Sequence, residues 1–274
     1  MFLALITRHL NEPFLQEFID YYFNEGVDHI YILQDSDGSL NIKQQPRVFT
    51  TRSQKFGTKQ MHSVNELYKT IRNKYKWFIS VDCDEYMSCV NAQKKKSLRE
   101  ILQTEYAGVD CVAVPWVMMT CHNVDRNPPS LLQYNMHRWD HDKKHPHPNS
   151  WQKGRCRYDE IEVKCMFKGS AFRRINIHHP DTFVASPVAV ESVSNGPFCV
   201  QPFFKNLHEK EIAMASVLCF HYRIMSKQAS AAKFRKNKLP GYRNSQYDNL
   251  MITNYCDKEE RFMREKSVCL FGEK

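Results

Sequence analysis

Two acids, two residues apart at the end of an apolar run, are the residues of this chain best placed to do chemistry. The run Trp77 to Val81 breaks abruptly into Asp82, Cys83, Asp84 and Glu85. Such a run reads as a buried strand, and a buried strand that ends in acids delivers them to the carboxyl edge of a sheet, where open α/β folds bind ligands. On a continuing strand Asp82 and Asp84 share one face. Two carboxylates on one face repel unless a cation lies between them. Hard oxygen donors suit Mg²⁺ or Mn²⁺, and those ions suit a diphosphate. An acidic pair by itself reads equally well as a solvated turn; the buried run leading into it favours the metal.

The elements that must position these acids follow from periodicity. Residues 2–7 are expected as a first strand. Asn11 is a helix cap, followed by Phe14, Leu15, Phe18, Ile19 and Tyr22 at helical spacing and closed by Gly26. Strands are expected at 27–33 and 47–51, a second helix at 61–75, and then the strand ending at Asp82. This alternation implies an α/β fold with a mostly parallel central sheet flanked by helices. Ser97 and Glu100 form a capping box, and residues 109–119 make another buried strand carrying Trp116. Residues 120–160 hold Pro128, Pro129, Pro146 and Pro148 with several His and two Trp, and read as a long functional loop. A hairpin is expected from 162–167 and 172–177, a strand at 215–223, a basic helix at 226–236, and a helical cap within 244–266. The sequence has neither a Gly-x-Gly-x-x-Gly nor a Walker-type loop, which disfavours the ordinary dinucleotide and P-loop readings.

Composition bounds the answer. The 274 residues are 42% hydrophobic and 12% aromatic, enough for a substantial core. No apolar run approaches the roughly 18 residues of a membrane span. The ten Cys form no Cys-x-x-Cys pair, and several sit in apolar runs, so reduced thiols and a cytoplasmic setting are expected. The formal charge is +9 with dispersed basic residues. A phosphate site on a solvated surface accounts for this better than a specific nucleic-acid partner.

Taken together, Asn11-Glu12, Phe18 to Tyr22, Gly26 to Ile32, Lys76 through Tyr86, Lys164 to Phe167 and His221-Tyr222-Arg223 with Ser226 and Lys233 resemble glycosyltransferase family 92 and related family 2-like enzymes. The resemblance runs in order over residues 3–236. It implies a GT-A-like fold in a single domain over 1–274. Residues 1–119 would form the nucleotide-sugar-binding half, 120–236 the acceptor-binding and metal-completing half, and 237–274 a helical cap. It further implies metal-dependent transfer, inverting at the sugar, from a UDP-sugar donor to a hydroxyl of a glycan or glycoprotein acceptor. Asp82, Asp84 and His221 are then the metal ligands for Mn²⁺ or Mg²⁺, with Asp82 also a candidate for the ribose. Arg8, Asp35, Gln60, Lys227 and Lys233 are donor-binding candidates. An inverting transfer needs a general base, for which Asp125, Asp159 and Glu160 are candidates, together with Asp140 and Glu162. The segment Met118 to His122 departs from the Gly-rich stretch of the family, so acceptor identity does not carry over. Many eukaryotic members are membrane-anchored, whereas no anchor is expected here.

Each assignment has a plainer counterpart. Glu85 reads equally as a solvated acid, Asp35 as an Asx-turn, His221 as a core histidine, and the two lysines as a solvated helix face. His178 and His179 are alternates to His221. Trp116 reads as core, whereas Trp139 and Trp151 read as an acceptor platform. His137, His141, His145 and His147 are too loosely spaced for a zinc site. Two other functions compete. One is a Mg²⁺-dependent nucleotidyltransferase, which also holds its cation on strand-end acids. The other is a basic glycan- or nucleic-acid-binding module without activity.

Overall fold

The structure is a computed structural model and describes residues 1–34, 40, 42–53, 60–122, 124–143, 160–194, 196–197, 203–205, 207–236 and 250–274, with backbone only at 60, 160, 161, 203–205 and 233–236. In chain order the first half holds β1 (Leu3–His9), α1 (Leu15–Asn24), β2 (His29–Gln34), β3 (Val48–Arg52), α2 (Gln60–Ile71), β4 (Trp77–Ser80), β5 (Glu85–Cys89), α3 (Leu98–Gln103) and β6 (Cys111–Thr120). The second half holds α4 (Leu131–Tyr134), β7 (His137–Arg138), β8 (Glu160–Lys168), β9 (Phe172–Ile175), β10 (Pro180–Phe183), β11 (Ala189–Glu191), β12 (Phe203–Lys205), α5 (Glu209–Met214), β13 (Val217–His221), α6 (Lys227–Lys236), β14 (Lys258–Glu259) and α7 (Phe262–Phe271).

Among the described residues twelve strands join in one sheet whose main path runs β14-β7-β6-β8-β4-β1-β2-β3, with β13 and β11 on β6, β12 on β8, and β5 on β13. β1 pairs in parallel with β2 and β4, and β2 with β3. β8 lies antiparallel between β4 and β6. Following the pairings outward, only β5, β7 and β8 oppose the direction of β1. The molecule is therefore a mixed α/β protein whose mostly parallel sheet is flanked by helices, consistent with a GT-A-like fold.

The core explains the local choices. All ten residues of β6 are buried, as expected for a central strand covered on both faces. α1 turns Leu15, Phe18, Ile19, Tyr21 and Tyr22 inward. It ends at Gly26, whose φ is 87°. A Cβ there would stand 2.5 Å from Arg99 Cβ, so both the turn and the close approach require glycine. The capping box of Ser97 and Glu100 opens α3 as expected. The two tyrosines of α1 reach across to the acidic turn. Tyr21 Oη donates to Met87 O, and Tyr22 Oη donates to Glu85 O, both at 2.8 Å.

Some expectations are corrected. Asn11 does not cap α1: it adopts φ 64°, and the cap position falls on Phe14 without a side-chain bond. β8 and β9 are not a hairpin, because β9 pairs with β10 while β8 inserts into the main sheet. Period-2 alternation identifies a strand but not its partner. At the C-terminus the expected helix is interrupted: residues 250–252 are helical, the short strand β14 follows, and helix resumes at Phe262. Within 120–160 the described part is not wholly loop, since it contributes α4 and β7.

Candidate functional site

The site lies along one edge of the sheet, where the carboxyl ends of β1, β4, β6 and β13 meet the amino end of the antiparallel β8. β4 hands the chain to Asp82, and three residues later β5 begins at Glu85. The turn is held by a reciprocal pair of bonds: Glu85 N donates to Asp82 O at 3.0 Å, and Asp82 N donates to Glu85 Oε2 at 2.7 Å. That turn separates Asp82 from Asp84. Asp82 faces cations, with Arg8 Nη2 at 2.6 Å from Oδ1 and Lys164 Nζ at 3.2 Å from Oδ2. Asp84 faces β13, with its Oδ1 at 3.8 Å from His221 Nε2. β13 is fixed there by the bond from Tyr222 N to Asp84 O, 2.7 Å.

One ligand atom each from Asp84, Glu85 and His221 lies within 4.8 Å of the others, and all three residues are buried. Glu85 is fully buried, so its reading as a solvated acid is overturned. Its Oε2 receives Asp82 N, with Lys164 Nζ at 3.3 Å. Its Oε1 is buried with no hydrogen-bond partner in the structure. A buried carboxylate oxygen without a donor is costly. Burial raises the Glu85 pKa, and the neighbouring charges of Asp82 and Asp84 reinforce that shift against the pull of Lys164. Two carboxylates and an imidazole form a hard-to-borderline donor set, and an acid short of positive charge fits a divalent cation at this spot.

Lys164 is the residue that the sequence reading undervalued. It lies in the apolar stretch Val163 to Phe167, is 2% exposed, and bonds to Ile177 O at 2.9 Å as well as to Asp82. The available signal was a lysine inside a buried strand, which is almost never found without a partner. Burial alone would lower its pKa, but Asp82 and Glu85 hold it above the usual lysine value. In turn, burial opposes ionisation of Asp82, yet Arg8 and Lys164 carry its carboxyl well below the usual range. A cleft opens beside this cluster, between Arg8, Asp82, Lys164, Met61 of α2 and the turn residues Asn176 and Ile177.

Trp116 belongs to the core cluster, as read, and also forms a wall of the site. Its ring centroid stands 4.2 Å from that of His221 and 5.4 Å from that of His178. His178 Nε2 is in turn 3.4 Å from Glu162 Oε1. His179 does not join the metal cluster; its Nδ1 lies 2.8 Å from Pro180 O.

The remaining candidates are dispersed. Asp125 and Lys227 pair with each other at 2.7 Å, and their side chains are 73% and 51% exposed. Asp140 meets Lys258 at 3.4 Å. Gln60 opens α2, Glu160 opens β8 and Lys233 lies in α6, each described by backbone alone. Asp35, Asp159, Trp151, His145 and His147 fall outside the described residues. Trp139 is not an acceptor platform: it is buried in the core, and its indole donates to Thr253 O at 2.9 Å. The His137 ring lies tilted against that of His122, centroids 4.5 Å apart, and His141 is buried beside the Arg138–Glu209 pair, with its backbone N donating to Glu209.

No family model and no curated protein matches the chain. Among solved structures it is similar to 4-diphosphocytidyl-2C-methyl-D-erythritol synthase from Anaerococcus prevotii, at 13% identity over 61% of this chain and 70% of that one, with a TM-score of 0.27. An overlay that loose does not bear on the chemistry of the site. No helix among the described residues is long and apolar enough to cross a membrane.

Proposed function

We propose that this chain is a metal-dependent glycosyltransferase that moves a sugar from a nucleotide-diphosphate donor, a UDP-sugar, to a hydroxyl of a glycan acceptor. The observation that carries this reading is the convergence of Asp84, Glu85 and His221 within 4.8 Å at the sheet edge, next to the cationic pair Arg8 and Lys164. The resemblance to family 92 and family 2-like enzymes supports glycosyl transfer over the other reactions such a site can serve. Asp84, Glu85 and His221 would hold Mn²⁺ or Mg²⁺, and a cation bound there supplies charge neutralisation on the departing diphosphate. Arg8 and Lys164 would bind diphosphate oxygens, with Asp82 orienting both cations and meeting the ribose. Trp116 keeps water from the back of His221 and so strengthens every charge interaction in front of it.

Nucleotidyl transfer is the second reading. It uses the same cation on strand-end acids, and the presence of both Arg8 and Lys164 at the edge is equally suited to a triphosphate. Calorimetric titration of UDP in Mn²⁺ and in EDTA, on the wild type and on Asp84→Ala, tests the shared premise. Metal-dependent binding that is lost in the variant is the expected result. Product analysis separates the two readings: UDP released from a UDP-sugar supports glycosyl transfer, and pyrophosphate released from a nucleoside triphosphate supports the alternative. Binding of neither nucleotide class under any condition would sink both.

A further inference from the structure

Among the described residues β5 has one strand neighbour, β13, in whose register Glu85 stands opposite His221. Along such a pair, successive residues turn their backbone groups alternately toward the partner strand and away from it. Asp84 O faces β13, where it accepts from Tyr222 N. Glu85 O, Met87 N and Met87 O face the other way, toward α1. Buried backbone groups require partners, and two tyrosines of α1 take the part of a neighbouring strand. Tyr22 Oη donates to Glu85 O at 2.8 Å and accepts from Met87 N at 3.0 Å. Tyr21 Oη donates to Met87 O at 2.8 Å. Both tyrosines are fully buried, and the Tyr22 ring packs edge-on against those of Phe18 and Tyr21, with centroids 4.8 and 5.3 Å away. Lys266 of α7 ties the same two elements together, donating to Ser88 Oγ at 2.7 Å and pairing with Glu25 at the end of α1. The two hydroxyls differ in one respect. That of Tyr22 holds the residue whose carboxylate belongs to the metal cluster, and that of Tyr21 holds only a residue two positions beyond it.

We propose that Tyr22 is a positioning residue of the cation site. Its hydroxyl joins Glu85 O to Met87 N, so the backbone that carries the Glu85 carboxylate is held from the side opposite β13. β13 in turn holds Asp84 and presents His221. The cluster therefore stands on a strand clamped along both edges. This assignment rests on the reading of Asp84, Glu85 and His221 as the ligands of a divalent cation. Without the Tyr22 hydroxyl, Glu85 O and Met87 N lose their shared partner together. Two buried groups left unsatisfied are costly, and the strand must shift to satisfy them, taking the carboxylate with it. Without the Tyr21 hydroxyl only Met87 O is released, and Glu85 keeps its bond.

The test is calorimetric titration of Mn²⁺ into the full chain, without nucleotide, for the wild type, Tyr22→Phe and Tyr21→Phe, with urea denaturation of each in EDTA. Groups that orient metal ligands typically govern affinity by about 10–100-fold. Tyr22→Phe should raise the Mn²⁺ Kd by that factor, and Tyr21→Phe should leave it within about twofold, although both lower the urea midpoint. A tyrosine with a merely structural role would move the midpoint alone. A rise of less than about tenfold in Tyr22→Phe, or an equal rise in Tyr21→Phe, overturns the proposal and leaves the cation site standing. A wild type that binds neither Mn²⁺ nor Mg²⁺ overturns both. A second measurement keeps the hydroxyl and so does not depend on the folding of the phenylalanine variant. With 3-fluorotyrosine at position 22, the ¹⁹F resonance should move on addition of Mg²⁺, and move more than that of the same label at position 21. A resonance at position 22 that saturating Mg²⁺ leaves in place overturns the proposal.

Discussion

Asp82 and Asp84 are separated by one residue and meet opposite company. Asp82 is matched by two cations, Arg8 from β1 and Lys164 from β8. Asp84 shares its space with a second acid, Glu85, and with the imidazole of His221. One half of the turn is charge-balanced by the protein itself. The other half brings two carboxylates and an imidazole within 4.8 Å of one another. The Asp-x-Asp spacing is symmetric, and the asymmetry comes from strands distant in sequence. A role at such a motif is therefore set by what packs against each acid, with spacing only bringing the pair to the edge.

Breaking the open half should have the largest effect. Asp84→Ala is expected to lower transfer by about 10³-fold, in line with the several kcal/mol a catalytic cation provides. In the wild type, Mn²⁺ at a hundred times its Kd should raise unfolding stability by about 2.7 kcal/mol. That increment should vanish in the variant and is read by urea denaturation with and without EDTA. Breaking the balanced half should instead cost stability. Lys164→Met leaves Asp82 and Glu85 without their buried partner and is expected to destabilise the fold by about 3–5 kcal/mol. Adding Glu85→Gln should recover part of the loss. A Lys164→Met protein as stable as wild type would erase the contrast between the halves.

A third cluster calibrates the comparison away from the site. Glu209 accepts bidentately from Arg138 at 2.7 Å and lies near Lys258 at 3.2 Å. Burial works against its ionisation, but Arg138 and the backbone N–H of His141 lower its pKa from 4.5 to about 2. A depressed folded-state pKa stabilises above the unfolded value and is lost as pH falls through the folded one. About 2–3 kcal/mol of stability should therefore disappear between pH 4.5 and 2, and Glu209→Gln should flatten that part of the stability–pH curve. The smallest effect is expected at Asp125. Its exposed pair with Lys227 is worth about 0–1 kcal/mol, so Asp125→Asn should leave both melting temperature and turnover nearly unchanged.

The sequence makes some of this plain. The acidic turn at the end of an apolar strand, the helical spacing of α1, the capping box at Ser97 and the strand leading to His221 are all local patterns, and local patterns survive into the fold. Lys164, Glu85 and Trp116 are different. Their roles depend on β8 entering between β4 and β6 and on β5 folding back onto β13, pairings that alternation cannot specify. The same blindness placed Trp139 on a platform when Thr253, over a hundred residues later, takes its indole into the core. Period and propensity report which face is buried; they are silent on which distant strand buries it.

The position of β8 also bears on how the molecule is made. β4 is complete at Ser80, but the strand that pairs with its free edge begins only at Glu160. For about eighty residues of synthesis the growing sheet presents an unpaired, apolar edge of the kind that invites mispairing. It also carries three acids whose buried lysine has not yet been made. Closing that gap is a long-range contact and makes the central sheet slow to finish relative to its helices. The cluster of Asp82, Glu85 and Lys164 is thus complete only after β8 has docked, and a half-folded chain would lack the donor site proposed above.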